Sequence, residues 1–164
     1  MRINPYGKFL VIENRIRNRT TETTLTTIFH LTTSPSMKEK LELKEIFNAT
    51  PSEIYAAWLN GETHTIMTGG EAKCSNKEGG SFSAWDGYIT GTNVSLTKDE
   101  KIVQTWRTSD FALTDEASLV TITLSKISNR TELRIIHTNI PEGQTQYKQG
   151  WIDHYFIPMK DFFE

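Results

Sequence analysis

Four histidines and one cysteine are the residues of this chain best suited to chemistry, and their spacing serves none of the familiar kinds. His30, His64, His137 and His154 stand far apart. Neither with one another nor with Cys74 do they fall at the short intervals of a metal-ligand set. No serine sits in a nucleophile elbow, no glycine-rich loop leads into a helix with a phosphate-binding lysine, and no carboxylate pair stands out for acid–base work. Lys73 and Lys77 flank Cys74 and would favour its thiolate, but an inert thiol is the plainer reading. Asp86-Gly87 reads as a turn rather than an acid site. The expectation is a protein that is not an enzyme, with no catalytic residue, metal or cofactor.

Two polar residues stand where apolar ones are expected. Glu45 shares its strand phase with Leu43 and Phe47, and His137 shares its phase with Leu133 and Ile135. An inward polar group needs a partner or water, or else it lines an open cavity. Two readings stay open: both residues face a cavity, or both lie near strand ends and reach solvent. Trp106, Trp151 and Tyr155 read first as core aromatics.

The elements that would position these residues are regular from Met37 onward. Leu41, Leu43 and Phe47 alternate with Glu42 and Lys44 as a first strand. Thr50, Pro51 and Glu53 form a capping-box start, Ile54, Tyr55, Trp58 and Leu59 supply the apolar face, and Asn60-Gly61 ends the helix. Glu62 to Met67 follows as a second short helix. Gly69-Gly70 and Gly79-Gly80 then punctuate short strands, and Asp86-Gly87 predicts a type I′ hairpin between Phe82 to Trp85 and Tyr88 to Leu96. Lys101 to Arg107, the alternating run around Val120, Ile122 and Leu124, and Thr131 to Asn139 complete an antiparallel meander. Tyr147, Trp151, Tyr155, Met159 and Phe162 recur at helical spacing, which predicts one long amphipathic helix over 144–163, kinked at Pro158. The order gives an α+β domain whose curved sheet wraps the last helix.

The chain of 164 residues has the length of one domain and a formal charge of −2. That balance counts against a nucleic-acid binder, which needs a basic excess. No apolar run is long enough to span a bilayer, so no membrane partner is expected. The lone Cys74 rules out an intramolecular disulfide and fits a reducing, cytoplasmic setting. The near-neutral total is a cancellation. Residues 1–36 hold five basic residues against two acidic ones, a surplus of +3 that leaves −5 for the other 128. This leader, with eight threonines, reads as a disordered extension or an over-long gene start, and Met37 would serve as the true beginning. An organellar transit peptide is the alternative, which Glu13 and Glu22 count against. The domain proper is 37–164.

The motifs carry a resemblance. Gly79-Gly80-Ser81-Phe82, Asp86-Gly87, Ile89, Gly91, Asn93 and Leu96, then Ile102-Val103-Gln104 and Trp106-Arg107, resemble the signature of the family of activators of heat-shock-protein-90 ATPase. Thr131-Glu132-Leu133, Ile140-Pro141, Gln149-Gly150-Trp151, Tyr155-Phe156 and Phe162 continue it, so that it spans about residues 41 to 163. The family belongs to the START-like (SRPBCC, helix-grip) superfamily, and the resemblance implies a sheet gripping a C-terminal helix with a cavity between them. Glu45, Phe82, Trp106 and His137 would line that cavity from the sheet, and Tyr147, Trp151 and Tyr155 from the helix. Of the family's glycines, Gly79 and Gly80 are expected to take positive φ, Gly91 to mark a bulge or bend, and Gly150 to let the helix approach the sheet closely.

Two functions follow from the resemblance. One is a non-enzymatic module that binds a small hydrophobic molecule in the cavity. The alternative is a co-chaperone that docks on a heat-shock-protein-90-type chaperone and stimulates its ATPase. The eukaryotic co-activators of the family carry a separate N-terminal domain before this module. Residues 1–36 are too short to be that domain, so bipartite engagement and its avidity are not expected of this chain.

Overall fold

The structure, a computed structural model, describes residues 38–164. The leader and the start at Met37 lie outside the described residues. The first strand, β1 (Glu39–Phe47), alternates half-buried and exposed positions as its sequence dictates. At its end Thr50 closes a capping box: its hydroxyl accepts from the Glu53 amide at 3.3 Å, and the Glu53 carboxylate accepts from the Thr50 amide at 2.7 Å. This starts α1 (Pro51–Leu59) with proline in the first turn, where its missing N–H costs nothing. Asn60 ends α1 and caps α2 (Gly61–Thr68) by accepting from the Thr63 amide at 2.9 Å, and Gly69, at φ 84°, terminates it.

Six further strands follow: β2 (Lys73–Cys74), β3 (Ser81–Ala84), β4 (Ile89–Thr97), β5 (Lys101–Thr108), β6 (Ser118–Ile127) and β7 (Arg130–Ile140). Every pairing is antiparallel, in the order β1-β7-β6-β5-β4-β3-β2. The first strand thus closes one edge beside the last, while β2 to β7 run as the expected meander. Ile102, Val120, Ile122, Leu133 and Ile135 alternate onto one face and are buried. Burying each such side chain contributes about 1.5–3 kcal/mol. Against that face lie Ile54 and Trp58 from α1 and the C-terminal helix α3, residues 147–162, which buries Trp151, Tyr155, Phe156 and Met159. Phe47 at the end of β1 meets Phe156 edge-on at 5.9 Å between centroids.

Helix α3 differs from the expected uniform helix. It begins at Tyr147 rather than 144 and runs as an α-helical segment Tyr147–Trp151, a π-helical stretch Ile152–Phe156 and a second α-helical segment Ile157–Phe162. The Ile157 amide donates back five residues to the Ile152 carbonyl. Its aromatic stripe is spaced by fours, and each such step overshoots the 3.6-residue turn by about 40°. The wider π turn takes back that drift and keeps Trp151, Tyr155 and Met159 on the sheet. It also stands immediately before Pro158, whose nitrogen has no hydrogen to donate to the turn before it.

At three glycines the structure departs at least in part from the expectation. Gly79 has the positive φ, 73°, but Gly80 does not; a Cβ there would strike the Ser75 side chain. Gly91 marks no bulge, since the register shift between β4 and β5 falls between Asn93 and Ser95. A Cβ on Gly91 would lie 1.9 Å from the Thr105 carbonyl oxygen and 2.6 Å from the ring of Phe82, its cross-strand partner. Gly150 does not bring helix and sheet together, because a Cβ there would meet nothing within 4 Å.

Candidate functional site

The β3–β4 turn shapes one wall of the site. Asp86 and Gly87 take φ 57° and 86°, and the Tyr88 amide donates to the Trp85 carbonyl at 3.0 Å, the expected type I′ geometry. Trp85 itself takes φ 54°, so the ladder stops at the Ala84–Ile89 pair and the indole swings out of the hairpin. A bulky side chain in this region is strained by about 1–3 kcal/mol. The indole fits over Gly70 and meets His154 of α3 at 4.8 Å between centroids.

Between this turn and α3 lies a cavity of about 510 Å³. Trp85, Tyr88, Trp106, Tyr147, Trp151 and Tyr155 provide aromatic walls, with Ile89 and Gly150 between them. Gln146, Gln149, Asp153 and His154 add the polar groups. Two of the tyrosine hydroxyls already have partners. That of Tyr88 donates to Asp110 at 2.5 Å, and that of Tyr147 pairs with Thr108 at 2.7 Å and with Gln144. Burial pushes the Tyr147 phenol up to about 12, with the charges of Asp110 and Asp115 acting in the same sense. Tyr155 is raised further by burial, and the Trp85 N–H beside it acts in the opposite sense. That indole N–H is buried and makes no hydrogen bond.

Two polar chains hold the walls. The Trp151 indole donates to His137 Nδ1 at 3.2 Å, His137 Nε2 meets Ser118 Oγ at 2.7 Å, and Ser118 donates to the Trp106 carbonyl at 2.7 Å. Each donor has one acceptor only if Nε2 carries the imidazole proton, so the chain fixes the tautomer. His137 is fully buried, and burial pushes its pKa down to about 3. It is a neutral strut between helix and sheet. The second chain runs from Trp58 Nε1 to Gln104 Oε1 at 3.2 Å, from Gln104 Nε2 to Asn93 Oδ1 at 2.8 Å, and from Asn93 to the Ser75 and Lys77 carbonyls. Trp58 stacks on Tyr155 at 5.3 Å, so this chain backs the cavity wall.

Of the residues expected around a cavity, Trp106, Tyr147, Trp151 and Tyr155 come together there, and three do not. Glu45 lies outside, half-exposed and paired with Lys160 at 3.0 Å. Phe82 packs on Gly91 and borders a separate groove beside Cys74. His137 sits behind the wall, held by its hydrogen bonds. Sequence reasoning passed over Trp85, Tyr88 and Asp153 because a turn and the exposed side of a helix carry no apolar phase. Gln104 and Asn93 did carry a signal, each sharing strand phase with buried residues. The Cys74 thiol moves away from reactivity: burial pushes it up to about 11, and Lys73 is turned to Glu71.

A seven-stranded antiparallel sheet gripping a C-terminal helix, with two short helices after the first strand, defines the helix-grip class of START-like domains. The profile of the family described as "Activator of Hsp90 ATPase homolog 1-like protein" matches residues 48–164, and the chain belongs to that family. An activator of 90 kDa heat shock protein ATPase homolog from Dictyostelium discoideum is 36% identical over 132 residues, covering 79% of this chain and 34% of that protein. The Homo sapiens homolog 1 is 32% identical over 127 residues, covering 76% of this chain and 37% of that protein. The chain therefore spans about a third of the length of these curated relatives. A crystal structure described as an HSP90 activator from Plasmodium falciparum is 29% identical with a TM-score of 0.69, covering 75% of this chain and 94% of that one.

Proposed function

We propose that this domain is a co-chaperone module that docks on a heat-shock-protein-90-type chaperone and stimulates its ATPase. The observation that carries this reading is the Plasmodium falciparum activator, whose crystal chain is matched over 94% of its length at 29% identity. That match covers nearly the whole of a chain described as an activator, which supports the reading. On this reading the domain acts by preferring one conformation of its partner. Isothermal titration of the protein into a purified heat-shock-protein-90-type chaperone tests the docking step. Saturable heat with a defined stoichiometry is expected; no heat and no co-sedimentation at high concentration would overturn it.

A second reading has its own observation. The cavity of about 510 Å³ between the β3–β4 turn and α3 has the size and aromatic lining of a small-molecule site. On this reading the domain holds a hydrophobic ligand there, without turning it over.

A further inference from the structure

We propose that the cavity selects an organic cation, a quaternary ammonium or protonated amine carried on an apolar body, over an anionic lipid of the same size. This rests on the reading of the cavity as a ligand site and names the ligand's class. Three observations point to it. Six aromatic side chains line the cavity, and ring faces attract a cation through their quadrupoles. The tyrosine hydroxyls of Tyr88 and Tyr147 are tied to groups outside, which leaves their rings as the contact surface.

The charges have one sign. Asp153, on α3, is the carboxylate of the lining, held by the Gln149 amide at 2.8 Å; among the described residues no lysine or arginine lines the cavity. Asp110 lies directly behind Tyr88, within hydrogen-bond reach of its hydroxyl. Arg107, although next to Trp106, takes the opposite strand phase and is spent on the Ala112 and Asp115 carbonyls of the loop after β5. His154 and Tyr155 also face the space. The acidic field that disfavours a phenolate at Tyr147 acts on any anion placed beside it. An anionic headgroup would meet ring faces and the Asp153 carboxylate and, among the described residues, find no lysine or arginine as counter-ion. A cation finds both of its preferred partners.

Tryptophan fluorescence reads the test, because Trp85, Trp106 and Trp151 line the space. Three probes with one tail, decyltrimethylammonium, decanol and decanoate, are titrated at pH 8 below their micelle concentrations. The expected order is cation, then alcohol, then carboxylate, with the cation about tenfold tighter than the alcohol. Asp153→Asn should cut the cation's advantage several-fold and leave decanol unchanged. Gly150→Leu, which drives a side chain into open space, should abolish binding of all three. Decanoate binding as tightly as the ammonium, or a cation preference that neither Asp153→Asn nor Trp106→Leu lowers, overturns the selectivity alone. No quenching by any probe overturns the ligand reading with it. Dioctanoylphosphatidylcholine as a fourth probe separates a lipid headgroup from a free amine: binding with the same Asp153 dependence assigns the lipid, and exclusion assigns the free cation.

Discussion

His137 is neutral in the folded protein because full burial opposes its charge and because Trp151 donates to the nitrogen that a second proton would need. The unfolded chain takes up that proton near the ordinary value of 6.5, the folded one only near 3. Between these values the unfolded state binds more protons, so stability is full above about pH 6.5 and declines as the pH falls. Urea denaturation from pH 6.5 down to pH 5, above the carboxylate range, should show that decline. His137→Gln keeps a donor and an acceptor but cannot titrate, and it should flatten the slope, leaving the part due to His64, which burial also holds neutral. An unchanged slope in the variant would contradict the strut. The strand phase already marked His137 as an inward polar group, and it marked Glu45 in the same way. What separates them is where the partner lies: Ser118 and Trp151 are within the core, whereas Glu45 is close enough to the rim for Lys160 to meet it. Partners so far apart in sequence leave no mark in either strand.

At the scale of elements, the strands, the two capped helices and the meander were readable because each rests on local physics: alternation, a capping box, a turn dipeptide. Helix α3 was readable as a helix but not as one with a π turn, since only the sheet it must face says how much angular drift is tolerable. The glycines show the same division. Gly91 and Gly150 look alike in sequence, one in a strand and one in a helix, and their surroundings give them opposite roles. Gly91→Ala should destabilise by about 1–3 kcal/mol or more, because the new methyl collides with the Thr105 carbonyl and the Phe82 ring. Gly150→Ala should stabilise by about 0.5–1 kcal/mol, because a helical position gains propensity and the methyl enters free space. Thermal unfolding of the pair measures both signs at once. A loss of stability in Gly150→Ala would mean that the helix sits against the sheet at this point, as its sequence context had suggested.

For the whole molecule, the fold was legible and the cavity only half so. Its α3 and β5 aromatics follow from periodicity, but the opposite wall is made by a turn whose Trp85 leaves the hairpin at φ 54°. No pattern of apolar residues encodes that exit. The cavity is a property of how three elements meet, and its acidic character comes from Asp153 and Asp110, neither of which belongs to the core pattern. No helix among the described residues is long and apolar enough to cross a membrane. Family membership gives the domain its closest functional context, while the curated relatives are about three times as long. If their remaining length contributes avidity, a chain acting through this domain alone engages its partner with the affinity of one site.

On the proposed function, this single domain is enough to act on a heat-shock-protein-90-type chaperone. The steady-state ATPase rate of the purified chaperone, measured against increasing concentrations of the protein and corrected with an inhibitor of the chaperone's nucleotide site, tests it directly. A saturable rise in rate is expected, with a midpoint that matches the calorimetric affinity. A rate that stays flat across concentrations at which the two proteins form a complex would contradict it.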